Sequence, residues 1–155
     1  MKFVGTTSSF IVRYWAKHIT PPIAARYIGT PLHPIRPKIL HMCAHRSKDL
    51  LWWRVSVSQL NGNKRVIRSW CARRVRIAFE GALRQQGLDT DGRPLPGTSS
   101  RKNNLAGSME VYVQSPCMTQ SFEEIQKGAN QLISELVAHE SAQEEVEAPK
   151  IPSKR

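Results

Sequence analysis

The chain has 155 residues, with 23 Lys or Arg against 12 Asp or Glu and a formal net charge of +11. Its length excludes two full domains. Its three widely spaced cysteines exclude a disulfide framework, and no apolar run is long enough to span a membrane. A strongly basic balance favours a polyanionic partner, either nucleic acid or an anionic membrane surface, and says nothing about fold.

The basic N-terminal segment (residues 1–48) holds eight Lys or Arg, and no acidic residue precedes Asp49. A helix over residues 8–19 would be amphipathic and basic, which is typical of an organellar transit peptide. The alternative is a basic arm that is never removed. Because prolines recur between Pro21 and Pro37, we expect an extended, disordered arm here and not a regular helix.

Residues 50–60 (LLWWRVSVSQL) alternate between apolar and polar positions, which predicts a half-buried strand. The polar face carries Trp52 and Arg54, which could stack on a base. The alternative is that Trp52 packs under the N-terminal segment. An Asn-Gly turn follows at Asn61, so residues 64–68 are predicted either as a short hairpin strand or as the start of the next helix, which we favour.

Residues 63–87 are the centre of the prediction, because their helical spacing separates an apolar side from an arginine side. The apolar stripe consists of Ile67, Cys71, Val75, Ala78, Phe79 and Ala82. The opposite side carries Arg65, Arg73, Arg76 and Arg84, within roughly a quarter of the circumference at about 100° per residue. Gly87 is the expected C-terminal cap.

The second half of the chain continues with a loop, a strand and a helix. Residues 89–104 are rich in Gly, Pro and small polar residues, and Arg93, Arg101 and Lys102 make this loop basic. Residues 105–114 alternate as a strand. Ser121 and Glu124 form a capping box that begins a well-patterned helix, and an acidic, disordered tail is expected from Glu140.

These elements predict an α+β fold, a small two-layer α/β sandwich in the order strand, helix, loop, strand, helix. The predicted domain spans residues 49–139, between the N-terminal segment and a tail at residues 140–155. Two strands are too few for a stable sheet. We therefore expect a third strand from residues 24–45, from residues 64–68 or from a partner.

No constellation of catalytic residues stands out. There is no nucleophile elbow, P-loop or Gly-rich dinucleotide turn. His41, Cys43 and His45 would point the same way on an extended segment, but zinc needs a fourth ligand that no nearby pair supplies. We expect a protein that is not an enzyme, with no metal, no cofactor and no small-molecule substrate.

Short motifs in the second half resemble the ribosomal small-subunit protein ten family. They are residues 54–58 on a strand, Pro94-Leu95-Pro96 in the basic loop, residues 111–113 on a strand, and Ser115-Pro116 where that strand ends. The resemblance implies contact with ribosomal RNA through the loop.

Charge and pattern together predict a non-catalytic, RNA-associated protein, with the mitochondrial ribosome as its predicted setting. Structured RNA is favoured over specific duplex DNA, because no groove-reading motif is present. The predicted RNA-contacting residues are Arg65, Arg73, Arg76, Arg84, Arg93, Arg101 and Lys102. The alternative function is a protein-interaction subunit of a larger complex that completes its sheet with a partner and binds no nucleic acid. The alternative location is nuclear or cytoplasmic.

Overall fold

A computed structural model describes residues 2–96 and 104–147 and shows an α+β fold. The strands are β1 (Lys2–Thr6), β2 (Phe10–Trp15), β3 (Leu51–Ser56) and β4 (Gly107–Val113). The α-helices are α1 (Pro22–Ile28), α2 (Arg36–His45), α3 (Arg65–Gln85) and α4 (Phe122–Glu147), and short 3-10 turns cover Ser58–Leu60 and Ser115–Met118. The predicted order from residue 49 onward is confirmed by β3, α3, β4 and α4.

The sheet has the strand order β1-β2-β4-β3. β2 is antiparallel to both β1 and β4, whereas β3 is parallel to β4 and reaches it through the crossover helix α3. Alternate residues of β2 are buried, with Phe10, Val12 and Tyr14 facing the core. The helices α3 and α4 pack against each other over this apolar face, which gives the two-layer sandwich.

The opposite, open face of the sheet carries the polar side chains. One row crosses all four strands, because the register aligns Val4 with Arg13, Arg13 with Glu110, and Glu110 with Arg54. Close approach of β2 to β4 requires glycine at one position. Gly107 has φ +124°, and a Cβ there would lie 2.4 Å from the carbonyl oxygen of Trp15.

The predicted secondary structure of the basic N-terminal segment is wrong. Residues 8–19 contain β2 instead of a helix, because their apolar residues Phe10, Val12 and Tyr14 repeat with a period of two. The extra strands come from β1 and β2, and not from residues 24–45, residues 64–68 or a partner. The amide of Thr7 donates to the carbonyl of Phe10 at 2.9 Å and closes the hairpin between them.

The Pro-rich part of this segment is also more regular than expected. Pro22 and Pro37 lie in the first turns of α1 and α2, where a missing N–H costs no intrahelical hydrogen bond. The folded unit therefore begins at β1 and not at residue 49. Removal of residues 1–48 would take away β1 and β2 from the sheet.

The ends of the two long helices follow the predicted signals. Residues 65–68 are helical, which settles the choice between helix and hairpin strand. Gly87 has φ +73°, and the hydrogen bonds Gly87 N to Arg84 O and Leu88 N to Leu83 O form a Schellman motif. The capping box is confirmed, with Ser121 N donating to Glu124 Oε2 at 2.9 Å and Glu124 N donating to Ser121 Oγ at 3.3 Å.

α4 continues to Glu147, which corrects the expectation of a disordered tail from Glu140. Residues 140–147 contain strong helix formers and neither Gly nor Pro, so the helix has no local reason to stop before Pro149. The rest of the predicted tail, residues 148–155, lies outside the described residues. Among the helices that the structure describes, none combines the length and the apolar character that a membrane crossing requires.

Candidate nucleic-acid interface

The inner side of α3 forms much of the core. Cys71, Val75, Ala78, Phe79, Ala82 and Leu83 are buried, as the helical spacing predicts. Ile67 differs, since 36% of its surface is exposed. The first turns of α3 extend past the buried core, and Ile67 lines a shallow surface depression there with Val66, Trp70 and Met118.

The outer side of α3 carries the arginine face (Arg65, Arg73, Arg76 and Arg84), and all four side chains are exposed. Among the side chains of residues 3–96 and 104–142, no carboxylate oxygen lies within 4.0 Å of any of these guanidinium groups. Glu80 lies on the same side of the helix but forms no ion pair with them at that distance. Their positive charge is therefore directed to solvent along about 28 Å of helix, at 1.5 Å per residue.

Two other arginines of α3 are turned inward. The guanidinium of Arg74 donates to the carbonyls of Cys117 at 3.3 Å and Gln120 at 2.9 Å, and it lies 4.3 Å from the ring centre of Trp70. Arg68 donates to Asn61 Oδ1 at 3.2 Å. These two side chains fasten α3 to neighbouring segments and are not part of the arginine face.

The arginine face borders an exposed apolar strip that sequence reasoning missed. Val66, Trp70 and Ile77 are all exposed on the outer side of α3, next to Arg73. Their spacing of four and seven residues was available as a signal. An exposed indole beside arginines suits a nucleic acid, because every base has a face that can stack.

The predicted loop residues are placed only in part. Arg93 is exposed on a turn that follows α3, where Asp89 N donates to Arg93 O at 2.7 Å. Leu95 N donates to Gly87 O at 2.8 Å, which ties this turn to the C-terminal end of α3 and puts Arg93 near the Arg84 end. Arg101 and Lys102 lie outside the described residues.

On the open face of the sheet, the charged side chains are partnered. Arg54 Nη2 lies 2.8 Å from Glu110 Oε1, the Tyr112 hydroxyl also donates to Glu110, and the Arg13 guanidinium lies 4.9 Å from the Tyr112 ring centre. Burial alone would raise the pKa of Glu110, but the hydrogen bonds from Arg54 and Tyr112 outweigh it and lower that pKa. The bond to Glu110, with burial, raises the pKa of Tyr112.

Trp52 is buried and therefore does not offer a base-stacking surface. The His18 ring stacks on it at 4.3 Å, and the Arg46 guanidinium lies 4.4 Å from its ring centre. Its indole N–H donates to the carbonyl of Ser47 at 2.9 Å. This confirms the alternative interpretation that Trp52 packs under the N-terminal segment.

His41, Cys43 and His45 lie on α2, so alternate residues do not point the same way. His41 and His45 stack on consecutive turns, with ring centres 3.9 Å apart. In the part of the chain that the structure describes, no group of three or more His, Cys, Asp or Glu side chains could hold a metal ion.

Comparisons of the chain with protein-family models, with curated proteins and with solved structures gave no match. The resemblance to the ribosomal small-subunit protein ten family therefore stays a prediction from the short motifs.

Proposed function

We propose that this protein is a non-catalytic, RNA-associated subunit of a ribonucleoprotein, and that the arginine face of α3 contacts RNA phosphates. One observation carries the proposal: the four guanidinium groups are exposed and lack a carboxylate partner within the described residues. Arginine binds phosphate with two parallel hydrogen bonds, and each neutralised phosphate adds a salt-dependent contribution to affinity. The neighbouring Trp70 adds a surface on which a base can stack.

We propose the mitochondrial ribosome as the setting for this contact. The acid-free N-terminal sequence and the motifs shared with the ribosomal family support it, and a nuclear or cytoplasmic particle is the alternative. Arg93 extends the interface beyond the end of α3. Arg101 and Lys102 belong to the same proposal on sequence grounds.

The salt dependence of RNA binding tests the arginine face directly. A fourfold variant in which Arg65, Arg73, Arg76 and Arg84 are replaced by Gln is titrated with a fluorescent single-stranded RNA at several salt concentrations. The affinity falls as salt rises, and each phosphate contact contributes about −0.7 to the slope of log K against log salt. Loss of four contacts should therefore make this slope shallower by about 3. All four side chains are exposed, so the variant should fold normally.

The control is a second fourfold variant with the same change of charge, in which Lys17, Arg26, Lys38 and Lys48 are replaced by Gln. These side chains are also exposed, and we expect the salt slope to stay within about 1 of wild type. An unchanged slope in the α3 variant would refute the proposal. An equal loss in both variants would refute it too, because total charge and not the α3 surface would then carry binding.

The cellular setting is tested by sedimentation of the tagged chain. Wild-type protein should co-sediment with a ribosome-sized particle and leave it after ribonuclease treatment. Co-sedimentation that resists ribonuclease would favour the alternative, a protein-interaction subunit. The structure offers one specific observation for protein contact, and it lies away from α3.

A further inference from the structure

The segment that joins β2 to β3 (residues 16–50, the α1–α2 segment) exposes many large apolar side chains. α1 and α2, which the structure describes in full, contain no buried residue. The exposed fraction reaches 95% for Leu32, 67% for Ile23 and 60% for Met42. The whole exposed set is Ile19, Ile23, Leu32, Ile35, Leu40 and Met42. Exposed apolar side chains that gather at a groove indicate an interaction site.

The segment is nevertheless anchored at both of its ends. Near the start, Ile19 N donates to Ser108 Oγ at 2.9 Å, and His18 stacks on Trp52. Near the end, the Arg46 guanidinium lies 4.4 Å from the ring centre of Trp52. Since both ends of the segment contact Trp52, α1 and α2 are anchored to the sheet while their apolar side chains remain exposed.

Between these helices and the sheet lies a groove of about 560 Å³ (the α1–α2 groove). Trp52 forms its floor, and the remaining lining residues are Pro21, Ala24, Ile39, His41, Met42, Cys43, His45 and Arg46. Its volume falls within the range of about 300–1,000 Å³ that is usual for binding clefts. The lining is mainly apolar, with cationic or titratable groups among it.

The charge around the groove decides what kind of occupant it fits. Residues 16–48 contain Lys17, Arg26, Arg36, Lys38, Arg46 and Lys48 and no Asp or Glu. Charge complementarity therefore favours an occupant that is both apolar and negatively charged. RNA meets only the second condition, because bases stack on aromatic or guanidinium planes and do not bury aliphatic side chains such as Ile39 and Met42.

We propose that the α1–α2 groove binds an acidic amphipathic helix from a partner protein. The walls are the helices α1 and α2, so they offer no strand edge for a peptide to extend. Recognition by side chains in a groove is the mode that suits such walls, with apolar anchors at i, i+4 and i+7. The partner's apolar stripe lies over Ile39 and Met42, and its carboxylates face Arg46. This proposal does not depend on RNA binding by α3.

The test uses the full chain and a synthetic, fluorescein-labelled helical peptide as the probe. The peptide has Leu at i, i+4, i+7 and i+11, with Glu, Ala and Gln elsewhere and a net negative charge. A scrambled peptide of the same composition is the control. Cys43 provides a second readout, because it lines the groove and is partly exposed, whereas Cys71 and Cys117 are buried.

The helical peptide should bind and protect Cys43 from alkylation by N-ethylmaleimide. At a free peptide concentration of ten times Kd, the alkylation rate should fall about tenfold. Met42→Glu adds negative charge inside the groove and should weaken peptide binding by about tenfold or more. Leu32→Glu makes the same change at an exposed position outside the groove and should stay within about twofold of wild type.

Several outcomes would overturn the proposal. Equal protection of Cys43 by the scrambled peptide would remove the helical specificity. No binding by the helical peptide, or equal losses in the Met42 and Leu32 variants, would remove the groove. Protection by a single-stranded RNA or by vesicles of phosphatidylserine and phosphatidylcholine, without protection by the peptide, would replace the protein partner by a nucleic acid or a membrane. Protection by a peptide of residues 134–147, and not by the designed peptide, would indicate a second copy of this chain.

Discussion

Replacing Phe10 by Ala tests whether the N-terminal strands belong to the core. Phe10 is fully buried in β2, and its ring meets the Phe79 ring edge-to-face with centres 5.5 Å apart. It also lies close to α4, because a Cβ at Gly128 would be 3.5 Å from its ring. Truncating a buried Phe to Ala costs about 3–5 kcal/mol, which is a large part of the usual 5–15 kcal/mol of a folded domain.

The assay is urea unfolding followed by circular dichroism, with wild type and variant at the same pH and salt. The same loss should lower the melting temperature by about 6–20 °C, at about 2–4 °C per kcal/mol for a chain of this size. Val4→Ala is the matched control, since Val4 lies on β1 but is 51% exposed. Its cost should stay below about 1 kcal/mol. If Phe10→Ala left the free energy of unfolding unchanged within about 0.5 kcal/mol, residues 2–15 would not be part of the cooperative fold.

Two further predictions concern strain and pH. Gly107→Ala should lower the free energy of unfolding by more than about 2 kcal/mol, because φ +124° disfavours a side chain and the new Cβ would clash with the Trp15 carbonyl. Gly62→Ala is the control, since nothing lies within 4 Å of its Cβ position, and it should be neutral or slightly stabilising. Urea unfolding measures both. Burial raises the pKa of Cys117 to about 12 from 9.0, helped by the nearby Cys71. The unfolded chain therefore loses this proton first as pH rises, and at one unit above pH 9.0 the wild type should have lost about 1.4 kcal/mol more stability than Cys117→Ala. An equal loss in both proteins would contradict this assignment.

The elements that were predicted correctly are those with one unambiguous period. α3 and α4 each carry a long apolar stripe together with end signals, so their faces and most of their limits follow from spacing alone. β2 carries an equally clear period of two. Its basic composition without acidic residues nevertheless led to the prediction of a helical targeting sequence. The prolines also led to a wrong prediction. In the sequence, a proline in the first turn of a helix cannot be told from a proline that breaks a helix.

The candidate interface was predictable only to the level of a helix face. Spacing of about 100° per residue places the arginine face away from the core. It does not reveal that Arg74 is used internally, because its acceptors, the carbonyls of Cys117 and Gln120, come from a distant part of the chain. The exposed apolar surface of the α1–α2 segment was unpredictable for the same reason. The sequence shows that Met42 and Leu32 are apolar, but only the fold shows that most of their surface is left exposed by the described residues.

The two proposed surfaces are separated by the sheet, and this makes their tests independent. The arginine face lies on the outer side of α3, which covers one face of the sheet, whereas Trp52 forms the floor of the α1–α2 groove on the other face. Changes at sites this far apart and without shared partners act additively. The fourfold arginine variant of α3 should therefore keep the peptide protection of Cys43, and Met42→Glu should keep the wild-type salt slope of RNA binding. Loss of both functions in either variant would indicate a damaged fold and not a lost contact.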